Sequence, residues 1–339
     1  MNCHTKANRV PYIDISRFLA IFLVLVGHIV DSDTSIKTVV YSFHMPLFFL
    51  LSGMVYKDRD DSLKNNLQLF FCKKMRTIVF PYILWGCIYA ALSLKNILLV
   101  LYGSRETLIK AGSLSSLWFF PVLLCSQLMI ECLLSIKLSH KYKSVFLGIC
   151  AIILMFIGFI MPHNKSYGNP FGFDIAFVAA GFIIIGFISK KAIENFSKLK
   201  LPIKITLTII LMIVFIIVSC LFNKPCEYVL MANADYNNKV VFIVVSLLGS
   251  SICIFLGDIL SSMLKKTKYL ICIGQNTFAI FLVHKPIISL LRKIAVKVSL
   301  DYNNIFICII IAVIALLISY MFVLVIEKFS PQIVGKQNK

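Results

Sequence analysis

The chain has 339 residues, of which 59% are hydrophobic, and its mean hydropathy is +0.90. Soluble domains are about 45–50% apolar, so this composition excludes an ordinary soluble fold and indicates a polytopic membrane protein. The net charge of +19 would suggest nucleic-acid binding in a soluble protein. In a membrane protein, basic cytoplasmic loops account for it, and no nucleic-acid partner is expected.

Apolar segments long enough to cross a bilayer recur along the whole chain. A transmembrane helix needs about 20 predominantly apolar residues. On that measure the sequence predicts an all-α protein with ten transmembrane helices, near 11–31, 36–55, 77–94, 117–136, 144–161, 172–189, 201–222, 239–260, 269–291 and 304–326. The loops are too short for a soluble domain, so residues 1–339 are predicted to form one membrane domain.

The basic residues set the expected orientation of these spans. An even number of spans leaves both termini on one side, and Lys and Arg are more numerous in the loops on that side. The positive-inside rule therefore predicts that both termini lie in the cytoplasm of a multi-pass protein of the cell membrane.

The first predicted span carries charged and titratable side chains. Arg17 and His28 are separated by ten residues, which puts them on one helix face about 16 Å apart along the axis. Asp14 lies three residues before Arg17, close enough to pair with it. Charges within a span are costly and mark a functional site by default, so we expect this helix to line one, with His28 near the outer face.

Two further histidines are expected to approach the same face. His44 begins the apolar part of the second span, and His284 lies in the ninth. Each of them could instead make a hydrogen bond between helices. For His44 a structural role is also open, because it precedes Pro46, whose missing N–H frees a carbonyl that neighbouring helices can satisfy.

Other polar residues favour simpler interpretations. His163 falls in a loop and is expected to be solvated or structural, whereas Asp258 and Glu327 fall at cytoplasmic ends of spans, where solvation is expected. Trp118 begins the fourth span at the predicted outer interface, as is typical of an aromatic belt. The eleven cysteines contain no CxxC pair, and no metal site is predicted.

A basic cluster precedes the third span, in CKKMRTIVFPY. Lys73, Lys74 and Arg76 would anchor the helix at the cytoplasmic face or contact lipid headgroups. They could equally bind a phosphorylated ligand, because Arg offers phosphate a planar fork and Lys a point charge.

Two motifs carry a resemblance to a known family. YIDISRFLAIFLVLVGH, with Arg17 and His28, resembles the first span of the integral-membrane acyltransferase-3 family. FHMPLFFLLSG is similar to the second span of its sugar O-acetyltransferase branch, related to fucose 4-O-acetylases, and matches at His44, Pro46, Phe48, Phe49, Ser52 and Gly53. Weaker matches follow at Lys73, Arg76, Pro81, Tyr82, Trp118, Phe119, Gly274, Asn276, Thr277, His284 and Glu327. The family often has Arg where this chain has Lys73, which weakens the expectation of bidentate phosphate binding there.

The resemblance implies a reaction. It implies transfer of acetyl from cytoplasmic acetyl-CoA, a co-substrate rather than a permanently bound cofactor, to a sugar hydroxyl of a cell-surface polysaccharide or lipid-linked glycan. His28 would act as general base or carry the acetyl group transiently, and Asp14 would hold Arg17 in place. Residues implied in binding acyl-CoA are Arg17, Lys73, Lys74 and Arg76. Candidates for orienting the acceptor are His44, Ser52, Trp118, Asn276, Thr277 and His284, of which His44, Ser52, Thr277 and His284 could instead stabilise the developing oxyanion.

Two other classes of protein fit the residues. A transporter or proton-coupled permease would line its pathway with the same buried Arg and His. A membrane scaffold without chemistry is the third interpretation. Binding of acetyl-CoA to the purified protein would separate the enzyme from both.

Overall fold

The computed structural model describes residues 10–57, 63–91, 93–112, 114–222, 227–264 and 267–336, and within them the regular structure is helical with no strand. This confirms the predicted all-α class for that part of the chain. The helices in chain order are α1 (Pro11–Ile29), α2 (Ser35–Tyr41), α3 (His44–Met54), α4 (Leu63–Lys74), α5 (Phe80–Tyr89), α6 (Leu94–Tyr102), α7 (Arg105–Lys110), α8 (Phe119–Leu134), α9 (His140–Ile160), α10 (Phe173–Ile188), α11 (Lys190–Ser197), α12 (Leu201–Phe222), α13 (Lys239–Met263), α14 (Lys268–Gln275), α15 (Thr277–Lys297) and α16 (Ile305–Phe329).

Eight helical segments in the described residues are long and apolar enough to cross a membrane, which supports a multi-pass membrane protein. They coincide with eight of the ten predicted spans and cover Pro11–Ile29, Ser35–Met54, Ser115–Leu134, Tyr142–Ile160, Pro170–Ile188, Leu201–Leu221, Lys239–Met263 and Ile305–Phe329. The count of ten and the cytoplasmic placement of both termini stay predictions.

The two predicted spans outside this set are interrupted or highly charged. The third, 77–94, begins in a π-helical turn (Met75–Val79), continues as the ten-residue α5, and leaves the helical conformation at Ala91, whose φ is +54°. In the ninth, α14 ends at Gln275, and α15 carries Lys285, Arg292, Lys293 and Lys297. Both departures come from polar residues and helix breaks within otherwise apolar stretches.

The described residues fall into two compact units. The first comprises the described residues within Met1–Leu51, Lys191–Val229 and Tyr236–Val323, and the second comprises those within Ser52–Lys190, Leu230–Asp235 and Leu324–Lys339. In the first unit, α1 packs against α13, α14 and α15, and α12 packs against α13. In the second unit, α10 packs against α8 and α9, and α4 packs against α8.

Small residues bring α1 close to its neighbours in the first unit. Gly257 on α13 lies against Ser16, whose hydroxyl donates to the carbonyl of Tyr12 at 2.8 Å and to that of Cys253 at 3.4 Å. Gly274 on α14 lies against the backbone of Asp14. A side chain at either glycine would force α1 away from the helix it contacts.

Replacing Gly274 by alanine is therefore expected to destabilise the protein by about 1–3 kcal/mol, the usual cost of overpacking a core. The added Cβ would collide with the carbonyl oxygen of Asp14, which backbone geometry fixes. Gly148→Ala is the matched control, because a Cβ there meets nothing within 4 Å and alanine favours a helix by about 0.5–1 kcal/mol over glycine. Thermal unfolding in one detergent compares the two, and equal unfolding temperatures would contradict the prediction.

A buried ion pair joins α12 to α13 in the first unit. The Nζ of Lys204 lies 2.6 Å from Oδ2 of Asp258, and the hydroxyl of Ser197 donates to Oδ1 at 2.7 Å. Lys204 and Asp258 are only 5% and 4% exposed. The expected solvation of Asp258 is therefore wrong, because α11 and the start of α12 cover it. Glu327, in contrast, is about one-third exposed and pairs with Lys336 at 2.6 Å.

In the second unit, His163 connects two helices. Its Nδ1 donates to Oδ2 of Asp174, at the start of α10, over 2.6 Å, and its Nε2 lies 3.5 Å from Oε1 of Glu106 on α7. Of the two expectations for His163, the structural one applies. The hydrogen bond to Asp174 and the nearby carboxylate of Glu106 raise the pKa of His163 to about 9, against the opposing effect of burial.

This raised pKa predicts that stability depends on alkaline pH. A folded-state pKa above the unfolded value of about 6.5 contributes stability that is complete below pH 6.5 and lost as the pH rises through about 9. The thermal unfolding temperature of the wild type should fall over that interval by more than that of His163→Gln, which cannot titrate. If the unfolding temperatures of the wild type and of His163→Gln depended on pH in the same way, the prediction would be contradicted.

Candidate active site

The polar end of α1 is built around a buried carboxylate. The Nη1 of Arg17 lies 3.1 Å from Oδ1 of Asp14, so the pair that their spacing predicts is present. The side-chain amide of Gln275, at the end of α14, donates to Oδ2 of Asp14 at 3.1 Å. Asp14 is thus held by two helices, and it fixes the guanidinium of Arg17 on the face of α1.

At the other end of α1, three predicted site residues lie together. The ring centroid of His28 is 5.3 Å from that of His284 on α15. The hydroxyl of Tyr41 lies 3.4 Å from Nδ1 of His28, and the Tyr41 ring lies 4.7 Å from the ring of His44. His28, His44 and His284, which are far apart in sequence, therefore share one site within the first unit.

Backbone hydrogen bonds fix the protonation pattern of two of these rings. A carbonyl oxygen only accepts, so Nδ1 of His44 donates to Val40 at 2.8 Å, and Nδ1 of His284 donates to Phe281 at 2.9 Å. In the neutral form, each ring then leaves Nε2 as an acceptor. His284 is 0% exposed, and its Nε2 has no hydrogen-bond partner among the described residues. Such a nitrogen is suited to accept a hydrogen bond from a hydroxyl group.

Pro46 sets the position of His44. A proline at position 46 cannot donate to the carbonyl of Ser42, and the hydroxyl of Ser246 on α13 donates to that oxygen instead at 2.7 Å. This confirms that a neighbouring helix satisfies the freed carbonyl. The break between α2 and α3 turns His44 toward Tyr41 and its own segment, where Nδ1 bonds Val40 rather than another helix.

Asn276 and Thr277 stabilise the junction of α14 and α15. The amide of Asn276 donates to the carbonyl of Cys272 at 2.8 Å, and the hydroxyl of Thr277 donates to that of Gly274 at 3.1 Å. Both side chains are buried, and their bonds are local to the turn. They lie beside Gln275, which contacts Asp14.

The second unit holds the remaining predicted site residues, which are Ser52, Lys73, Lys74, Arg76 and Trp118. Lys73, at the end of α4, and Arg76, in the π-helical turn, are exposed, and Nζ of Lys74 lies 5.7 Å from the ring centroid of Phe70. The hydroxyl of Ser52 accepts a hydrogen bond from the amide of Gln127 at 2.7 Å. Trp118 is 7% exposed, so the expected lipid-facing belt is wrong for this residue, which packs inside its unit.

Three residues of the site were missed by sequence reasoning. Lys37 and Tyr228 contact Tyr41, whose hydroxyl approaches His28. Tyr41 could have been noticed, because it lies three residues before His44. Tyr228 belongs to no recognisable sequence pattern, so only tertiary packing shows its place. In the described part of the chain, no group of three His, Cys, Asp or Glu side chains could hold a metal ion.

Comparison with known families decides the class of protein. A family model described as an acyltransferase domain, Acyl_transf_3, matches residues 10–324. The chain belongs to this family. It is a membrane acyltransferase, and the transporter interpretation is not favoured. No curated protein and no solved structure matches the acyltransferase.

Proposed function

We propose that this acyltransferase moves an acetyl group from acetyl-CoA to a sugar hydroxyl of a cell-surface polysaccharide or lipid-linked glycan, as in the branch related to fucose 4-O-acetylases. The observation that supports this most is the approach of His28 to His284, with ring centroids 5.3 Å apart, in a chain whose family transfers acyl groups. The enzyme would work in the cell membrane with the glycan and acetyl-CoA as its partners.

In the proposed reaction, His28 is the general base. The sugar hydroxyl gives its proton to a neutral imidazole nitrogen of His28 as its oxygen attacks the thioester carbonyl. A tetrahedral intermediate forms, the C–S bond then breaks, and the CoA thiolate takes the proton back and leaves as the thiol. The products are the sugar ester and free CoA. In a covalent variant, a neutral nitrogen of His28 attacks the thioester, the C–S bond breaks and CoA leaves as the thiol with the proton of the imidazole. The sugar hydroxyl then attacks the acetyl-imidazole and gives its proton to the ring as the acetyl–nitrogen bond breaks, which regenerates His28.

The roles of the remaining predicted site residues are proposed from the family resemblance. We assign the anionic groups of CoA to Arg17, Lys73, Lys74 and Arg76, because guanidinium and ammonium groups are the protein's phosphate ligands. Asp14 is a positioning residue for Arg17. We assign orientation of the acceptor to His44, Ser52, Trp118, Asn276, Thr277 and His284. Among these, His284 and His44 have the strongest support, since the His284 ring lies beside His28 and the His44 ring contacts Tyr41, whose hydroxyl approaches His28.

The test is transfer of radiolabelled acetyl from acetyl-CoA to sugars by the full chain, purified in lipid nanodiscs. Saturable, protein-dependent labelling of the sugar would support the proposal, and glycan from cells with and without the gene would identify the acceptor. If acetyl-CoA neither bound nor donated its acetyl group, the proposed donor would be wrong.

A further inference from the structure

Lys37 on α2 rests on two aromatic rings. Its Nζ lies 5.2 Å from the ring centroid of Tyr41 and 5.1 Å from that of Tyr228, within the distance of about 6 Å at which a cation is attracted to a ring face. The two rings meet edge to face, with centroids 5.2 Å apart. They hold the ammonium group of this half-buried lysine in place while leaving its N–H donors available for an anion.

Tyr41 connects this group to the candidate active site. The same side chain that lies under Lys37 places its hydroxyl 3.4 Å from Nδ1 of His28 and its ring 4.7 Å from that of His44. The side chain of Tyr41 therefore lies between the ammonium group of Lys37 and the imidazole of His28, the proposed general base. A group bound to Lys37 would therefore lie on the side of Tyr41 that faces away from Arg17 along α1 and within reach of a sugar held at His28.

The acidic side chain best placed to neutralise Lys37 is engaged elsewhere. Asp31 accepts hydrogen bonds from Arg292 at 2.6 Å, from Tyr302 at 3.1 Å and from Asn303 at 2.9 Å. Asp31 and Asp33 act on Lys37 electrostatically from the same loop, but in the described part of the chain neither carboxylate forms an ion pair with it. A cation held on aromatic faces without a paired carboxylate is suited to an external oxyanion.

We propose that Lys37, Tyr41 and Tyr228 form a subsite for an anionic group carried by the acceptor, either a carboxylate of the sugar or a phosphate of its lipid carrier. This rests on the proposed function and names the class of its acceptor. The tyrosine rings supply flat apolar faces with polar rims for the sugar, and Lys37 supplies the charge. A neutral acceptor would form no ion pair with Lys37.

Position along α1 favours the acceptor over CoA as the source of the anion. Arg17, the proposed donor residue of this unit, precedes His28 by eleven residues, or about 16 Å along the helix. Lys37 follows the opposite end of α1, beyond Ile29. A donor approaching from Arg17 and an acceptor held at Lys37 would therefore meet at His28 from opposite sides.

The experiment uses the full chain in nanodiscs with three probes. Methyl β-glucuronide and methyl β-glucoside differ only in the carboxylate, and glucose 1-phosphate supplies the phosphate. We expect the wild type to bind at least one anionic probe about tenfold more tightly than the glucoside, and Lys37→Met to lose that preference. Lys37→Arg should keep it, and the KM for acetyl-CoA should stay unchanged. Lys110→Met is the matched control, because Nζ of Lys110 lies 3.6 Å from the ring centroid of Tyr167 in the second unit.

The outcome of the binding experiment identifies which anionic group the subsite recognises. Preference for the glucuronide assigns the sugar carboxylate, preference for glucose 1-phosphate assigns the carrier phosphate, and preference for both assigns a general oxyanion site. Equal binding of all three probes to the wild type, or an unchanged preference in Lys37→Met, would overturn the proposal. A raised KM for acetyl-CoA in Lys37→Met would instead assign Lys37 to the donor. Since sugar binding is measured without acetyl-CoA, failure of the transfer reaction itself is seen separately.

Discussion

Replacement of His28 by alanine is expected to lower the turnover of acetyl transfer by about 10²–10⁴-fold, the usual contribution of a general base. The imidazole lies at the last turn of α1, beside His284 and within 3.4 Å of the Tyr41 hydroxyl, and alanine provides no group that could take the proton. The measurement is the rate of labelled acetyl transfer at saturating donor and acceptor, with the folded fraction of each preparation checked by size-exclusion chromatography.

Leu23→Ala is the matched control for His28→Ala. Leu23 is partly exposed on the same helix and lies more than one turn before His28, so its truncation tests whether α1 tolerates loss of a side chain. We expect this variant to keep near-normal turnover. Full transfer by His28→Ala would refute the assignment of the base and direct attention to His284, whose Nε2 is the buried acceptor of the site.

The parts of the site that sequence predicted are those governed by helix periodicity. The pairing of Asp14 with Arg17 is a contact between residues three apart, and it follows from the helix alone. The meeting of His28 with His284 followed from a different constraint, because spans that cross one bilayer bring residues of similar depth to the same level. Tyr228 and Lys37 escaped prediction, since their contacts with Tyr41 depend on how a loop and a short helix pack.

Hydropathy predicted the helices that are long and apolar throughout. It was less informative for the two spans that contain several charged residues or a break in the helix. The apolar run around α5 does not reveal the π-helical turn at Met75–Val79, because hydropathy does not distinguish one turn of i→i+5 hydrogen bonds from an ordinary α-helix. Burial of Asp258 was missed for a related reason. Its position at the end of a span indicates solvent, whereas packing of α11 and α12 over α13 encloses it with Lys204.

Removing one member of this enclosed pair is expected to have the largest effect on stability. Lys204→Met leaves the carboxylate of Asp258 buried without its cation, and loss of one partner from a buried ion pair costs about 3–5 kcal/mol. The double variant Lys204→Met/Asp258→Leu removes both charges while keeping apolar bulk, so its stability should return to within about 1 kcal/mol of the wild type.

The exposed pair Lys336–Glu327 provides the control for the buried pair. Its N–O distance is also 2.6 Å, but the two side chains are 31% and 34% exposed, so Lys336→Met should cost no more than about 1 kcal/mol. Thermal unfolding of the four proteins in the same detergent separates the effect of burial from that of distance. If Lys204→Met and Lys336→Met unfolded at the same temperature, burial would not determine the strength of the pair. If the double variant were as unstable as Lys204→Met, lost packing rather than an unpaired charge would explain the effect.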